Sequence, residues 1–79
     1  MLLSDAIRKR IKFYQKQKGM SYYAIFKASG VSITTISQFM KNKNKLIQLD
    51  TLLHICEAFN ITITEFFEED IFKEVEQDD

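Results

Sequence analysis

The chain has no proline, only two glycines and a single cysteine among its 79 residues. The lone Cys56 cannot form an internal disulfide, and with one histidine, His54, it offers too few ligands for a structural zinc site. No stretch approaches the ~18 to 20 consecutive apolar residues of a membrane-spanning helix. The first ten residues lack the basic-then-apolar order of a signal peptide. We therefore expect a cytoplasmic protein that uses no metal or other cofactor.

Basic residues are concentrated in the first half of the chain and acidic residues in the second half. Residues 1–45 contain ten basic residues and one acidic residue, whereas residues 46–79 contain one basic and ten acidic residues. Such asymmetry indicates a basic surface for a polyanion, with an acidic region that faces away from it or shields it. The alternative is that the lysines are ordinary solvated side chains on helix surfaces. Charge alone does not separate the two interpretations.

Apolar residues at helical spacing predict the first two helices. A stripe at steps of four, four and three predicts a helix near residues 3–18, with Gly19 as its stop. This stripe consists of Leu3, Ile7, Ile11 and Tyr14. Ser21 can cap a second helix that ends before Gly30. The positions expected to point inward in that helix are Ala24, Ile25 and Ala28.

Three further helices are predicted after Gly30. Ser32 caps the third, in which Ile36, Phe39 and Met40 point inward and which Asn42 is suited to end. The fourth closes near Asn60, and its apolar positions are Leu49, Leu52, Leu53, Cys56 and Phe59. Thr62 and Glu65 form a capping box for the fifth. That helix is expected to bury some of Phe66, Phe67, Ile71 and Phe72.

These elements predict an all-α protein, because no alternating strand pattern of useful length and no repeat is present. The length suits one domain with a single modest core. We place the domain at residues 1–72 and an acidic C-terminal tail at residues 73–79. The tail is expected to be frayed and exposed to solvent.

The second and third helices, joined by a short turn that contains glycine, predict a helix-turn-helix unit. If the third helix buries Ile36 and Phe39, the 3.6-residue period places a small polar set on its other face. That set is Ile33, Thr34, Ser37, Gln38 and Lys41. A glutamine can bind adenine through two hydrogen bonds, hydroxyl groups can bond to several bases, and isoleucine can pack on a thymine methyl. The alternative is an exposed helix surface without a ligand.

The joint pattern resembles the Cro and phage-repressor type of helix-turn-helix family, the xenobiotic-response-element-like regulators. The matching stretches are "RIKFYQKQKGMS", "GVSITTISQF" and "LDTLLHICEAFNITITEFF", within residues 7–67. The resemblance implies a five-helix, lambda-repressor-like fold and a sequence-specific, usually dimeric regulator that binds double-stranded DNA in bacteria or phages. Its recognition helix would span about residues 33–41. The implied base contacts are Ile33, Thr34, Ser37 and Gln38, and the implied phosphate contacts are Tyr22, Ser32, Thr35, Lys41, Lys43 and Lys45.

Four departures from the family pattern alter these expectations. Tyr22 stands where the family often has glutamine, and it can still donate a hydroxyl hydrogen bond to phosphate, with a different reach. Phe26 stands where the family usually has a small residue, so we expect a changed angle between the second and third helices. An arginine-to-glutamate ion pair that joins the first helix to the recognition helix in the family would fall on Gln15 and Met40. We expect an apolar contact there instead. Asn42 replaces the glycine after the recognition helix and suits the same turn.

Exposed aromatic residues predict a second surface. Phe13 and Tyr23 are difficult to place inside the core, and the fifth helix has more phenylalanine than one face can bury. We expect a homodimer through the fifth helix and the neighbouring end of the fourth, although a small core can also wrap extra aromatic residues around itself. Cys56 is expected to be a packing residue and His54 a solvated one.

Two functions follow from these patterns. The first is a DNA-binding transcriptional regulator. The second is a protein-interaction module on the same fold, such as an antitoxin-like or anti-repressor partner, which would use the aromatic surface and the acidic tail. A free and positive third helix would favour the regulator. An enzyme is not expected, because no acid and base pair, phosphate-binding loop or metal-ligand set is present in the sequence.

Overall fold

Five α-helices form most of the described chain. The computed structural model describes residues 1–41 and 46–78. The helices are α1 (Leu3–Lys18), α2 (Tyr22–Ser29), α3 (Ile33–Met40), α4 (Leu49–Ala58) and α5 (Ile63–Phe67), followed by a 3₁₀ helix at Asp70–Phe72. Within the described residues, the β-type pairing is one isolated parallel bridge between Leu2 and Glu76. The predicted all-α class with five helices is confirmed.

Side-chain caps and left-handed residues set the helix ends. The hydroxyl groups of Ser21 and Ser32 each accept a hydrogen bond from the backbone N–H three residues later, at 3.1 Å. Gly19 ends α1 with φ 65° and Gly30 ends α2 with φ 78°, a region that glycine enters without steric cost. Asn60 follows α4 with φ 60°. The predicted ends of the first two helices are confirmed, whereas the stop assigned to Asn42 lies outside the described residues.

The predicted fifth helix is shorter than expected. Thr62 and Glu65 do form a reciprocal capping box, in which each side chain accepts a hydrogen bond from the other's backbone N–H. The helix nevertheless ends at Phe67, because Glu69 is extended at φ −151° and ψ 139°. Three consecutive acidic residues, 68–70, lie at this carboxyl end, where the helix dipole disfavours negative charge. Ile71 and Phe72 therefore belong to the separate 3₁₀ helix.

The core gathers residues from all five α-helices around three rings. The ring of Tyr14 stacks on Phe59 at 5.6 Å and on Phe66 at 6.4 Å between centroids. Aromatic pairs at such distances add stabilisation beyond the area that they bury. The other buried apolar residues are Ala6, Ile7, Ile11, Ile25, Ile36, Phe39, Met40, Leu52, Ile55, Cys56 and Ile61.

Three residues expected to point inward are exposed. Leu49 and Leu53 are 68% and 42% exposed, because the buried face of α4 is set instead by Leu52, Ile55 and Cys56. The predicted apolar stripe of α4 thus included the exposed Leu53 and omitted the buried Ile55. Ala28 is exposed as well, since it lies in the last turn of an eight-residue helix of which Ile25 is the buried residue.

The carboxyl-terminal segment pairs with the start of α1, so the expectation of a frayed tail is wrong for Glu76 and Asp78. The Leu3 N–H donates to the Glu76 carbonyl and the Glu76 N–H donates to the Met1 carbonyl, both at 2.9 Å. The Asp78 carboxylate accepts from the Ser4 N–H at 3.0 Å and from its hydroxyl at 2.5 Å. A carboxylate at a helix N-terminus satisfies free N–H groups and complements the dipole. The domain boundary after residue 72 stays a prediction.

Candidate nucleic-acid interface

The second and third helices, α2 and α3, pack against each other and are joined by a short turn. A three-residue connection at 30–32 joins two eight-residue helices, and the Val31 N–H donates to the Ser29 hydroxyl at 3.0 Å within it. Ile36, Phe39 and Met40 bury one side of α3 in the core. Because that side is held inside, the opposite side of α3 faces outward along its whole length.

We define the outer face of α3 by the four predicted base-contact residues, Ile33, Thr34, Ser37 and Gln38. Thr34 and Gln38 are exposed, Ile33 is 40% exposed, and Ser37 is half-buried. The Ser37 hydroxyl donates to the Thr34 carbonyl at 3.3 Å, an interaction within the helix. The outer face therefore presents one amide, one accessible threonine hydroxyl and one apolar side chain on a single helix surface.

The start of α3 presents hydrogen-bond donors to the outside. The Ser32 hydroxyl accepts from the Thr35 N–H at 3.1 Å and donates to the Thr35 hydroxyl oxygen at 2.8 Å. Both hydroxyl groups lie at the exposed surface at the start of α3. The N-terminus of a helix also carries free N–H groups and partial positive charge, which favour an anion such as phosphate.

Two further predicted phosphate contacts lie at the start of α2 and directly after the end of α3. Tyr22 is half-buried at the first position of α2, and Lys41 is exposed directly after α3. Lys43 and Lys45 lie outside the described residues. No acidic residue occurs in the sequence between Asp5 and Asp50, so α2, α3 and the segment between α3 and α4 contain basic charge alone. The surface around α3 is therefore suited to a polyanion.

Comparison with known proteins identifies this arrangement. The model of the Cro/C1-type HTH DNA-binding domain matches residues 10–70, most of the chain. The chain belongs to the Cro/C1-type helix-turn-helix DNA-binding family. A comparison with curated proteins gave no match. Within the described parts of this domain, no helix is long and apolar enough to cross a membrane.

Two arginines of this Cro/C1-type domain are buried rather than on its basic surface. The Arg8 Nε donates to the Phe39 carbonyl at 2.6 Å and its guanidinium lies 4.5 Å from the centre of the Phe39 ring. The Arg10 Nε donates to the Phe66 carbonyl at 2.7 Å. Neither contact has a local sequence signal, because each acceptor is a backbone carbonyl far along the chain. Both arginines belong to the basic half of the sequence, and the expectation of a basic surface for a polyanion is wrong for these two residues.

Gln15 and Met40 are the positions at which an apolar contact between α1 and the recognition helix is expected. The Gln15 amide donates to the Met20 carbonyl at 3.2 Å, within the turn after α1. Met40 is buried in the core. Arg8 supplies a polar connection to α3 from a position almost two helical turns before Gln15, and the apolar contact between Gln15 and Met40 stays a prediction.

The exposed aromatic residues lie on α1 and α2. Phe13 is 48% exposed and Tyr23 is 59% exposed, as predicted. Phe26 is half-buried and its ring lies 6.1 Å from that of Tyr23. The changed interhelical angle expected from Phe26 stays a prediction.

The lone thiol is a core group. Cys56 is fully buried in α4, and burial, with a smaller effect from the nearby Glu57 carboxylate, raises the pKa of the Cys56 thiol to about 11. The thiol is therefore protonated at neutral pH, and a thiol is a weak nucleophile. His54 is exposed and its Nδ1 lies 3.3 Å from the Glu57 carboxylate. The predicted packing role of Cys56 and the solvated position of His54 are confirmed.

Proposed function

We propose that this Cro/C1-type domain is a sequence-specific transcriptional regulator that places α3 in the major groove of double-stranded DNA. The observation that carries the proposal is the outer face of α3: it is polar and accessible while the opposite face is fixed in the core. A helix held in this way can enter a groove about 12 Å wide. The proposal includes no enzymatic activity and no cofactor, and it places the protein in the cytoplasm, where bacterial or phage DNA lies.

Base reading is assigned to the outer face of α3. The Gln38 amide carries both a donor and an acceptor, the pair needed for the N6 and N7 atoms of adenine. Thr34 can bond to a base edge through its hydroxyl, and Ser37 can do so if its hydroxyl leaves the Thr34 carbonyl. The apolar end of Ile33 suits a thymine methyl. These side chains would supply the sequence preference.

Phosphate contacts are assigned to groups around the start and the end of α3. The hydroxyl groups of Ser32 and Thr35 are exposed at the start of α3, and Tyr22 has a phenolic hydroxyl at the start of α2. Lysines after α3 would bind the backbone as point charges. They are Lys41, Lys43 and Lys45. Such contacts fix the position of the protein on the duplex and add affinity that falls with salt.

A homodimer through α5 and the neighbouring end of α4 would complete the regulator. Phe67, Ile71 and Phe72 are half-buried at this end of the domain and supply apolar surface for a contact. Two recognition helices related by a twofold axis bind half-sites one helical turn apart, about 34 Å. A palindromic operator would follow from that symmetry, and sedimentation equilibrium on the free protein would report the dimer.

The alternative function is a protein-interaction module. It is favoured by the exposed aromatic surface at Phe13 and Tyr23, and by the exposed leucines Leu46, Leu49 and Leu53. In that case the chain would act as an antitoxin-like or anti-repressor partner of another protein, which would bind one of these surfaces, and α3 would not bind DNA.

Selection of bound duplexes from a random library tests the proposal. We expect an enriched, palindromic motif. Gln38→Ala should relax the preference at one base pair in each half-site, whereas Gln17→Ala, which truncates an exposed glutamine of α1, should keep the motif. An absence of enriched sequence, or binding that is indifferent to Gln38, would contradict the regulator and favour the protein-interaction module.

A further inference from the structure

Two arginines of α1 make the same kind of contact with the carboxyl ends of two different helices. Arg8 bonds through Nε to the carbonyl of Phe39, the residue before the last in α3. Arg10 bonds through Nε to the carbonyl of Phe66, the residue before the last in α5, and through Nη2 to the Glu65 carbonyl at 2.8 Å. Both arginines are more than nine-tenths buried. The two contacts therefore form a matched pair within one structure.

The Arg8 contact satisfies groups that a helix cannot satisfy alone. The last four carbonyls of an α-helix have no partner within that helix, and partial negative charge at this end favours a cation. Hydrogen bonds from a guanidinium are charge-assisted and shorter than neutral ones. Arg8 is itself oriented by the Asp5 carboxylate, which lies 3.0 Å from Nη1. The contact thus joins α1 rigidly to the end of α3.

The geometry points to Arg8 as a positioning residue for base recognition, an inference that rests on the proposed role of α3. Arg8 is buried against Phe39, and Gln38, the proposed adenine reader, is the residue directly before Phe39 in the chain. A pair of hydrogen bonds to one base tolerates displacements of only about 0.5 Å. Arg8 acts through the backbone of α3, while the lysines supply the nonspecific affinity.

The test compares variants of the two buried arginines. Arg8→Met keeps an unbranched side chain but removes the donors, and Arg10→Met is the matched control at α5, which has no proposed DNA contact. Because α5 lies in the proposed dimer interface, the variants are compared at protein concentrations at which sedimentation equilibrium shows the same oligomeric state. Affinity is measured for the selected duplex, for the same duplex changed at the base pair that Gln38→Ala identifies, and for a scrambled duplex. Thermal unfolding of each variant sets a temperature at which more than nine-tenths of the protein is folded.

We expect Arg8→Met to reduce discrimination between the selected and the changed duplex by about tenfold, within the range of one bidentate base contact. Affinity for the scrambled duplex should be unchanged, because phosphate contacts set it. Arg10→Met should lower the free energy of unfolding yet keep wild-type discrimination. Unchanged discrimination in Arg8→Met, or an equal loss in Arg10→Met, would overturn the assignment.

The conservative pair Arg8→Lys and Arg10→Lys decides the matter if a methionine variant does not fold. Lysine keeps the charge but lacks the planar set of donors that reaches both Phe39 and Asp5. A few-fold loss of discrimination in Arg8→Lys alone supports the assignment, and equal discrimination in both lysine variants overturns it. If the wild-type protein selects no duplex, the proposed DNA-binding function is contradicted, and the positioning role of Arg8 is contradicted as well. If the wild-type protein selects a duplex and Arg8→Met keeps its discrimination, only the positioning role is contradicted.

Discussion

At the scale of single residues, the Ser32 hydroxyl has two tasks. It caps α3 by accepting from the Thr35 N–H, and it donates to the Thr35 hydroxyl, its neighbour among the predicted phosphate contacts. The Thr62 hydroxyl caps α5 in the same way, at 3.0 Å from the Glu65 N–H, far along the chain from the outer face of α3. A comparison of variants at the two caps therefore distinguishes an effect on stability from an effect on DNA binding.

Substitution of the two caps should therefore have different consequences. Ser32→Ala and Thr62→Ala should each lower the free energy of unfolding by about 1 kcal/mol, the usual cost of removing an N-cap. Ser32→Ala alone should also weaken binding to the selected duplex, because it removes one predicted phosphate contact and the bond that Ser32 donates to the Thr35 hydroxyl. Urea unfolding and fluorescence titration measure the two effects. Equal DNA affinity of the two variants would show that the Ser32 hydroxyl contributes to stability alone.

The buried thiol makes stability depend on alkaline pH. The pKa of Cys56 is raised from 9.0 to about 11, so between these values the unfolded chain loses the thiol proton while the folded chain keeps it. The Cys56 thiol therefore contributes no pH dependence well below pH 9, and its contribution lowers the free energy of unfolding as the pH rises toward 11. Cys56→Ala should be less stable at pH 7, because it leaves a cavity, but its stability should fall less steeply over this interval. Urea unfolding at a series of pH values checks this, and parallel pH profiles would contradict it.

At the scale of elements, the start of α1 depends on the far end of the chain. Leu2 precedes the helix with an aliphatic side chain that cannot cap it, and the Asp78 carboxylate takes that place. Ser4 is buried, so without Asp78 its hydroxyl and N–H would lose a partner away from water. The carboxyl-terminal segment is thus a structural part of α1 in addition to a source of negative charge.

Removal of this contact should destabilise the domain. Asp78→Ala should lower the free energy of unfolding by about 1–2 kcal/mol, and Gln77→Ala, at the exposed neighbouring residue, should leave it nearly unchanged. A chain truncated to residues 1–72, the predicted domain, should fold with reduced stability. Urea unfolding followed by circular dichroism measures all three. Wild-type stability of Asp78→Ala would show that the contact adds nothing to the folded state.

The elements also show what local sequence can predict. Ser21, Ser32, Thr62 and the two glycines predicted helix ends correctly, because a cap involves residues within a few positions of each other. The Arg8 contact with Phe39 spans 31 residues and the Ser4 contact with Asp78 spans 74. Such contacts depend on how the helices pack, and no periodicity in the sequence indicates them. The outer face of α3 could be predicted from the sequence, because it follows from the helix period once Ile36 and Phe39 are buried.

At the scale of the whole molecule, the charge of the chain is divided between two regions. The basic residues 1–45 and the acidic residues 46–79 cancel to a formal net charge of zero. Net charge would therefore predict little affinity for DNA, whereas the local field around α3 favours phosphate. Binding should be steeply dependent on salt despite the neutral total, because counterion release follows the number of phosphates that the protein neutralises.

Single lysines should change this salt dependence selectively. Lys41→Gln should reduce the slope of log affinity against log salt by about 0.9 for each phosphate that the variant no longer neutralises, with the base preference unchanged. Lys73→Gln is the control, because Lys73 is exposed in the acidic region and lies 3.1 Å from the Asp70 carboxylate. Titrations from low to moderate salt give both slopes. An equal slope for Lys41→Gln and the wild type would remove Lys41 from the phosphate-binding residues.

The most direct test of the central claim, that the outer face of α3 reads DNA bases, is an NMR titration of the labelled protein with the selected duplex. The account predicts that the largest changes fall on the amide of Gln38, its side-chain NH₂ group and the amide of Thr34. The same titration with a duplex changed at the base pair read by Gln38 should lose the side-chain NH₂ change while the phosphate-dependent changes near Lys41 persist. Changes centred on Phe13 and Tyr23, with α3 unaffected, would contradict the account.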